Sequence, residues 1–143
     1  MVLNLFVSEV SVRILLVEDD KRIVQFMKRG LEAEAYHVDV APDGQKGIDL
    51  AGASRYDMII LDVYLPKKNG LEVCKTVREQ TSTIPILMMT AKDSQEIQRE
   101  GFLVGASDYL PKPFSFEVLL SKIEKWCPAS RPVFPSRVNS SSL

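Results

Sequence analysis

Five side chains at four places along the chain are of the types that handle phosphate and metal ions. Asp62 ends the apolar run Met58-Ile59-Ile60-Leu61, Glu18 and Asp19 follow Ile14-Leu15-Leu16-Val17, Thr90 follows Ile86-Leu87-Met88-Met89, and Lys112 follows Asp108-Tyr109-Leu110-Pro111. Each stands where a short apolar run gives way to loop residues, the pattern of a buried strand delivering a polar group to its end. Alone, Asp62 reads more readily as a structural acid bonding loop amides than as a reactive one; the polar groups at the other three strand ends reverse this. Three carboxylates brought together favour a hard divalent ion, and magnesium takes one or two carboxylates, several waters and a phosphate oxygen. A lysine adds a point charge and a threonine a hydroxyl donor, both suited to the oxygens of a transferring phosphoryl group. With a single histidine, His37, and no Ser or Cys activated by one, the candidate nucleophile is the Asp62 carboxylate, which would form an acyl phosphate.

The elements that must position these groups alternate along the chain. After the first strand and its acidic loop, Ile23, Phe26, Met27 and Leu31 give an amphipathic helix with Asp20 at its N-cap. His37-Val38-Asp39-Val40 alternates as a half-exposed edge strand, and Asp43-Gly44 then opens a short helix whose apolar side includes Ile48 and Ala51. Pro66 and an Asn69-Gly70 turn follow the third strand, and Leu71, Val73, Cys74 and Val77 form the buried stripe of the next helix. After the fourth strand, Asp93 and Glu96 resemble a capping box for a helix anchored mainly by Ile97, with Phe102 and Leu103 near its end; weak burial makes this the element expected to move. Ser115 caps a last helix with Leu119, Leu120, Ile123 and Trp126 on or near its inner face.

Strands alternating with helices predict an α/β fold, a parallel five-stranded (βα)5 sheet covered on both sides. The first, third and fourth strands are apolar throughout and belong in the centre, so the predicted order is 2-1-3-4-5. In such a sheet ligands bind beyond the carboxyl ends of the strands, between the first and third, where Glu18, Asp19 and Asp62 fall. Adjacent carboxylates repel, and Glu18 beside Asp19 calls for a compensating cation.

The 143 residues suffice for one domain with its own core. Eighteen basic residues against 19 acidic ones leave a net charge of -1, so no global field draws the chain to nucleic acid or membrane. Two cysteines, Cys74 and Cys127, give neither a disulfide framework nor a zinc site and fit a reducing cytoplasm; Cys74 reads as a small core thiol. Residues 1–11 read as an N-terminal extension, 12–126 as the domain, and 127–143, with Pro128, Pro132, Pro135 and five serines, as a flexible tail or linker.

Four blocks carry a family resemblance: Val17-Glu18-Asp19-Asp20; Leu61 to Pro66 with Asn69-Gly70; Met89-Thr90-Ala91; and Gly105 to Phe114. In order and spacing they resemble the receiver domain of two-component response regulators, a flavodoxin-like fold, over roughly residues 12 to 126. The resemblance implies that Asp62 accepts a phosphoryl group from a phosphohistidine of a sensor kinase or phosphotransfer protein. It implies Mg2+ held by Glu18, Asp19, Asp62 and the Tyr64 backbone carbonyl. Lys112 would pair with Asp62 and then with the phosphoryl group, Thr90 would bond a phosphoryl oxygen, and Tyr109 would turn into the space Thr90 leaves. Output would run through the face of the fourth helix, fifth strand and fifth helix, toward a partner or an effector domain missing from this chain. The chain would be a phosphoacceptor and not an enzyme with turnover.

There are departures. Ser107 stands where the transcription-factor branch usually has Asp, Lys122 replaces a usual Arg and Glu124 reverses another, so dimerisation through that face would lack its usual pairs. Tyr64 and Lys92 occupy positions resembling those that govern hydrolysis of the acyl phosphate. Two other readings are a pseudo-receiver that keeps the fold but ignores phosphate, and a haloacid-dehalogenase-type phosphatase. The latter places a second Asp two residues after its nucleophile, where this chain has Tyr64.

Overall fold

The computed structural model describes residues 11–91 and 95–128. Five strands, β1 (Arg13–Val17), β2 (His37–Ala41), β3 (Met58–Asp62), β4 (Ile86–Thr90) and β5 (Asp108–Pro111), alternate with five helices. The helices are α1 (Lys21–Ala33), α2 (Gly44–Ala53), α3 (Gly70–Gln80), α4 (Gln95–Leu103) and α5 (Phe116–Trp126). All strand pairs are parallel, in the order β2-β1-β3-β4-β5, as the burial pattern of the strands predicts. β3 and β4 are buried along their whole length, and β2 and β5 form the edges.

Strand alternation divides the core in two. Ile14, Leu16, Met58, Ile60, Leu87 and Met89 face Met27 and Leu31 of α1 and Leu119 and Ile123 of α5. Leu15, Val17, Ile59, Leu61, Ile86 and Met88 face Val73, Cys74 and Val77 of α3, with Ile48 of α2 and Ile97 of α4 against them. Three apolar side chains differ from expectation. Phe26 is 49% exposed, because its ring stacks edge-on against Phe116 at 6.1 Å on the outside of the α1–α5 contact. Phe102 and Leu103 also face outward, at 49% and 78%, leaving Gly101 as the one buried residue of α4. Cys127, assigned above to the tail, is the C-cap of α5 and is buried.

Helix starts follow the expected chemistry with one correction. Asp20, Asp43 and Ser115 each accept amides of the following helical turn. Asn69-Gly70 is not a turn: Asn69 is the N-cap of α3 in a reciprocal capping box with Glu72, and Gly70 is the first helical residue. The capping box expected from Asp93 lies outside the described residues, as do Lys92, residues 1–10 and residues 129–143. Among the described residues no helix is long and apolar enough to cross a membrane.

Candidate functional site at the carboxyl edge of the sheet

Register decides which side chains meet. Val17 pairs with Leu61 and Asp62 with Met89, so Glu18, Asp62 and Thr90 stand together at one edge. Backbone bonds continue the pairing past the strands: Glu18 N donates to Ala41 O at 3.0 Å, Val63 N to Met89 O at 2.8 Å and Lys112 N to Thr90 O at 2.7 Å. These bonds fix where each side chain leaves the main chain.

Glu18 and Asp62 are almost fully buried, at 1% and 4% exposure, and Thr90 is completely so. Asp19 is exposed. Lys112 Nζ lies 2.7 Å from Glu18 Oε1 and 3.1 Å from Asp62 Oδ2. The second oxygen of Glu18 accepts the amides of Asp19 and Asp20, each at 3.1 Å, and Asp62 Oδ1 accepts the Tyr64 amide at 3.2 Å. The cation that Glu18 needs is thus Lys112, a contact the sequence did not reveal; the pairing read there was with Asp62.

Burial pushes the Glu18 carboxyl above its ordinary value, and the Asp62 charge adds to this, against the pull of Lys112 and the Asp20 amide. Burial alone would lower Lys112, but bonds and charge from Glu18 and Asp62 leave it raised. One lysine between two buried carboxylates leaves surplus negative charge. The donor set fits a hard cation: one carboxylate oxygen each from Glu18, Asp19 and Asp62 lie within 4.8 Å of one another. Tyr64 is half exposed, and Tyr109, at 7% exposure, belongs to the buried cluster on the α3 side of the sheet. The peptide between Lys112 and Pro113 is cis.

Two hollows flank or oppose this site. An apolar one of about 300 Å3 adjoins it, lined by Ile23, Phe26, Ala91, Lys112, Pro113 and Phe114. A larger one, about 600 Å3, lies at the other end of β3 and β4 with Ile59 and Pro85 in its lining and contains none of the five reactive side chains. The clustered charges lie at the carboxyl edge and not in the larger hollow, so size does not select the candidate site.

This arrangement has close relatives. The profile of the response regulator receiver domain matches residues 14–124. Response regulator MprA of Mycobacterium tuberculosis H37Rv is 40% identical over 122 residues, which cover 85% of this chain and 53% of that protein. The chain spans about half the length of the curated relatives it matches. Chemotaxis response regulator CheY4 of Vibrio cholerae superposes with a TM-score of 0.77 at 37% identity, covering 81% of this chain and 98% of that one. Response regulator TrrA of Thermotoga maritima, solved in complex with Mg2+ and BeF, superposes with a TM-score of 0.74 at 30% identity, covering 80% and 98%. With the strand order, the acidic edge and this match along most of its length, the chain belongs to the response regulator receiver domain family.

Proposed function

We propose that the chain is a two-component receiver in which Asp62 is the phosphoacceptor. The observation that carries this reading is the buried pair Glu18 and Asp62 bridged by Lys112 at 2.7 and 3.1 Å. An Asp62 oxygen attacks phosphorus, the P–N bond of a donor phosphohistidine breaks, and its electron pair leaves with the imidazole, which takes up a proton. The transition state is loose, so positioning and charge neutralisation are the main work. Lys112 holds the acceptor carboxylate and then meets the phosphoryl oxygens. The hydroxyl of Thr90, on the neighbouring strand end, supplies a hydrogen bond.

Glu18, Asp19, Asp62 and the Tyr64 backbone carbonyl are the residues that would hold Mg2+. When bound, the ion supplies charge neutralisation between carboxylates and phosphoryl oxygens. TrrA, the relative solved with Mg2+ and BeF, supports extending this donor set to the present chain. Thr90 and Tyr109 are the switch pair, and the α4–β5–α5 face is the output surface, engaging a partner, a further domain of a longer protein or a second copy. The donor is a sensor histidine kinase or a histidine phosphotransfer protein, and the setting is the cytoplasm. The domain occupies residues 12–126.

Intact mass after incubation with acetyl phosphate tests this reading. One phosphate is expected on the wild type, only with Mg2+, and none on Asp62→Asn. No adduct with Mg2+ present, together with an amide NMR spectrum indifferent to beryllofluoride, would replace this reading with that of a pseudo-receiver.

A further inference from the structure

We propose that Gly44, the first residue of α2, is a positioning residue for the loop that carries Tyr64, although it lies outside the acidic edge. The proposal rests on the reading that Asp62 and the Tyr64 carbonyl help hold Mg2+. The loop of residues 63–69 is clamped at both ends by glycines whose missing side chains leave room for backbone.

At the near end, Gly70 N donates to Val63 O at 2.7 Å, and a Cβ on Gly70 would overlap the Asp62 carbonyl oxygen and stand 2.7 Å from Val63 Cα. At the far end, Gly44 N donates to Pro66 O at 3.3 Å, the same oxygen that accepts Lys68 N at 2.8 Å. A Cβ on Gly44 would overlap the Lys68 carbonyl oxygen and stand 2.8 Å from its carbonyl carbon. Lys67 between them has a φ of 68°, in the left-handed region, and its Nζ lies 3.7 Å from Oδ2 of Asp43, the N-cap of α2.

The atoms in the way at position 44 are backbone, which cannot rotate aside as a side chain can. Any residue other than glycine there must move residues 66–68, and Tyr64 is only two residues from Pro66. Groups that support a metal's ligands, rather than being ligands, typically change its affinity by roughly 10- to 100-fold when altered. A shift of the loop from its α2 end therefore acts on the Tyr64 carbonyl while leaving Glu18, Lys112 and Thr90 where they are.

The test is calorimetric titration of Mg2+ into the full chain, with thermal melts, for wild type, Gly44→Ala and Gly30→Ala. Gly30 is the control: its Cβ would press the Phe116 ring, with Cδ1 at 2.9 Å, in the α1–α5 contact away from the loop. We expect Gly44→Ala to weaken Mg2+ binding about tenfold or more, and Gly30→Ala to lower the melting temperature while keeping wild-type affinity. Wild-type affinity in Gly44→Ala, or equal losses in both variants, would overturn the proposal. A wild type that binds no Mg2+ would instead overturn the reading of the metal site beneath it. Should Gly44→Ala not fold, amide exchange on the wild type decides. Coupling between loop and metal is reciprocal, so Mg2+ must slow exchange at Gly44 and Lys68 more than at Gly47, whose amide donates to the carbonyl of Asp43, the N-cap of α2. Equal change at all three would sink the idea.

Discussion

Both oxygens of Asp62, the phosphoacceptor under the proposal above, are engaged, one by Lys112 and the other by the Tyr64 amide. That amide ties Tyr64 to Asp62, and the residue, two positions further on, is half exposed. An acyl phosphate formed there is lost when water attacks in line, and a bulky ring with no basic atom hinders that water without activating it. A Tyr64→Asn variant should therefore dephosphorylate about tenfold faster, a barrier change of about 1.4 kcal/mol. Loss of the 32P label, or of the phosphorylated mass, over time measures this, and an unchanged rate would show that the ring does not shield the acceptor. That these polar side chains stand at strand ends was legible in the sequence because each follows an apolar run. Which partner each chose was not. Lys112 sits nearer Glu18 than Asp62, and that depends on where the β5 backbone leaves the sheet after its bond to Thr90, which no local pattern encodes.

Among the elements, β5 and α5 are joined through one carboxylate. Asp108 accepts the Trp126 indole N–H at 2.9 Å, Lys122 Nζ at 3.0 Å and its neighbour's Tyr109 amide at 2.8 Å, with Lys125 Nζ at 3.8 Å. Burial pushes this acid upward, but the indole, the amide and Lys122 outweigh it and hold Asp108 below its ordinary value of 3.8. A depressed folded-state value contributes stability that is present above the unfolded value and is lost as pH falls through the folded one. Asp108→Asn should cost about 1.5–3 kcal/mol at pH 7, the scale of a hydrogen bond to a charged group. The gap to wild type should shrink below about pH 4. Urea unfolding at pH 7 and pH 3 measures both, and a gap independent of pH would mean that the charge contributes nothing. The helices themselves were readable from apolar spacing and from Asp20, Asp43 and Ser115 at their starts. The α3 cap was misread because Asn-Gly is also a turn signal, and the reciprocal bonds, Asn69 N donating to Glu72 Oε1 and Glu72 N to Asn69 Oδ1, distinguish the two. Ser107, where relatives of the transcription-factor branch have an acid, takes part in another tie: its Oγ accepts the Ile86 amide at 3.0 Å and the Arg78 guanidinium at 3.4 Å. Arg78 also donates to Gly105 O at 2.9 Å and so joins α3 to the loop before β5.

At the scale of the whole molecule, charge and cavity lie at opposite ends of the sheet. The reactive carboxylates occupy the carboxyl edge, whereas the larger hollow opens where β3 and β4 begin, beside the ends of α2 and α3. The sequence announces only the first of these, because charged residues can be read from composition, whereas a gap between two helices depends on how they settle against the sheet. What closes the core is equally specific. Among the described residues the two buried clusters run from Val12, just before the first strand, to Cys127, whose thiol lies 3.6 Å from Asp57 O at the end of the last helix. A fragment of residues 11–128 therefore retains the whole described core and all five reactive side chains. It should unfold in one cooperative transition, within about 2 °C of the full chain, because the described core is whole in it and a loss of about 0.5 kcal/mol or less shifts the midpoint by no more than that. It should also take up a phosphate from acetyl phosphate with Mg2+ as the full chain does. A melting temperature lower by much more than that, with phosphorylation kept, would mean that residues 1–10 or 129–143 cover part of the domain. Separate truncation of each end would then identify which.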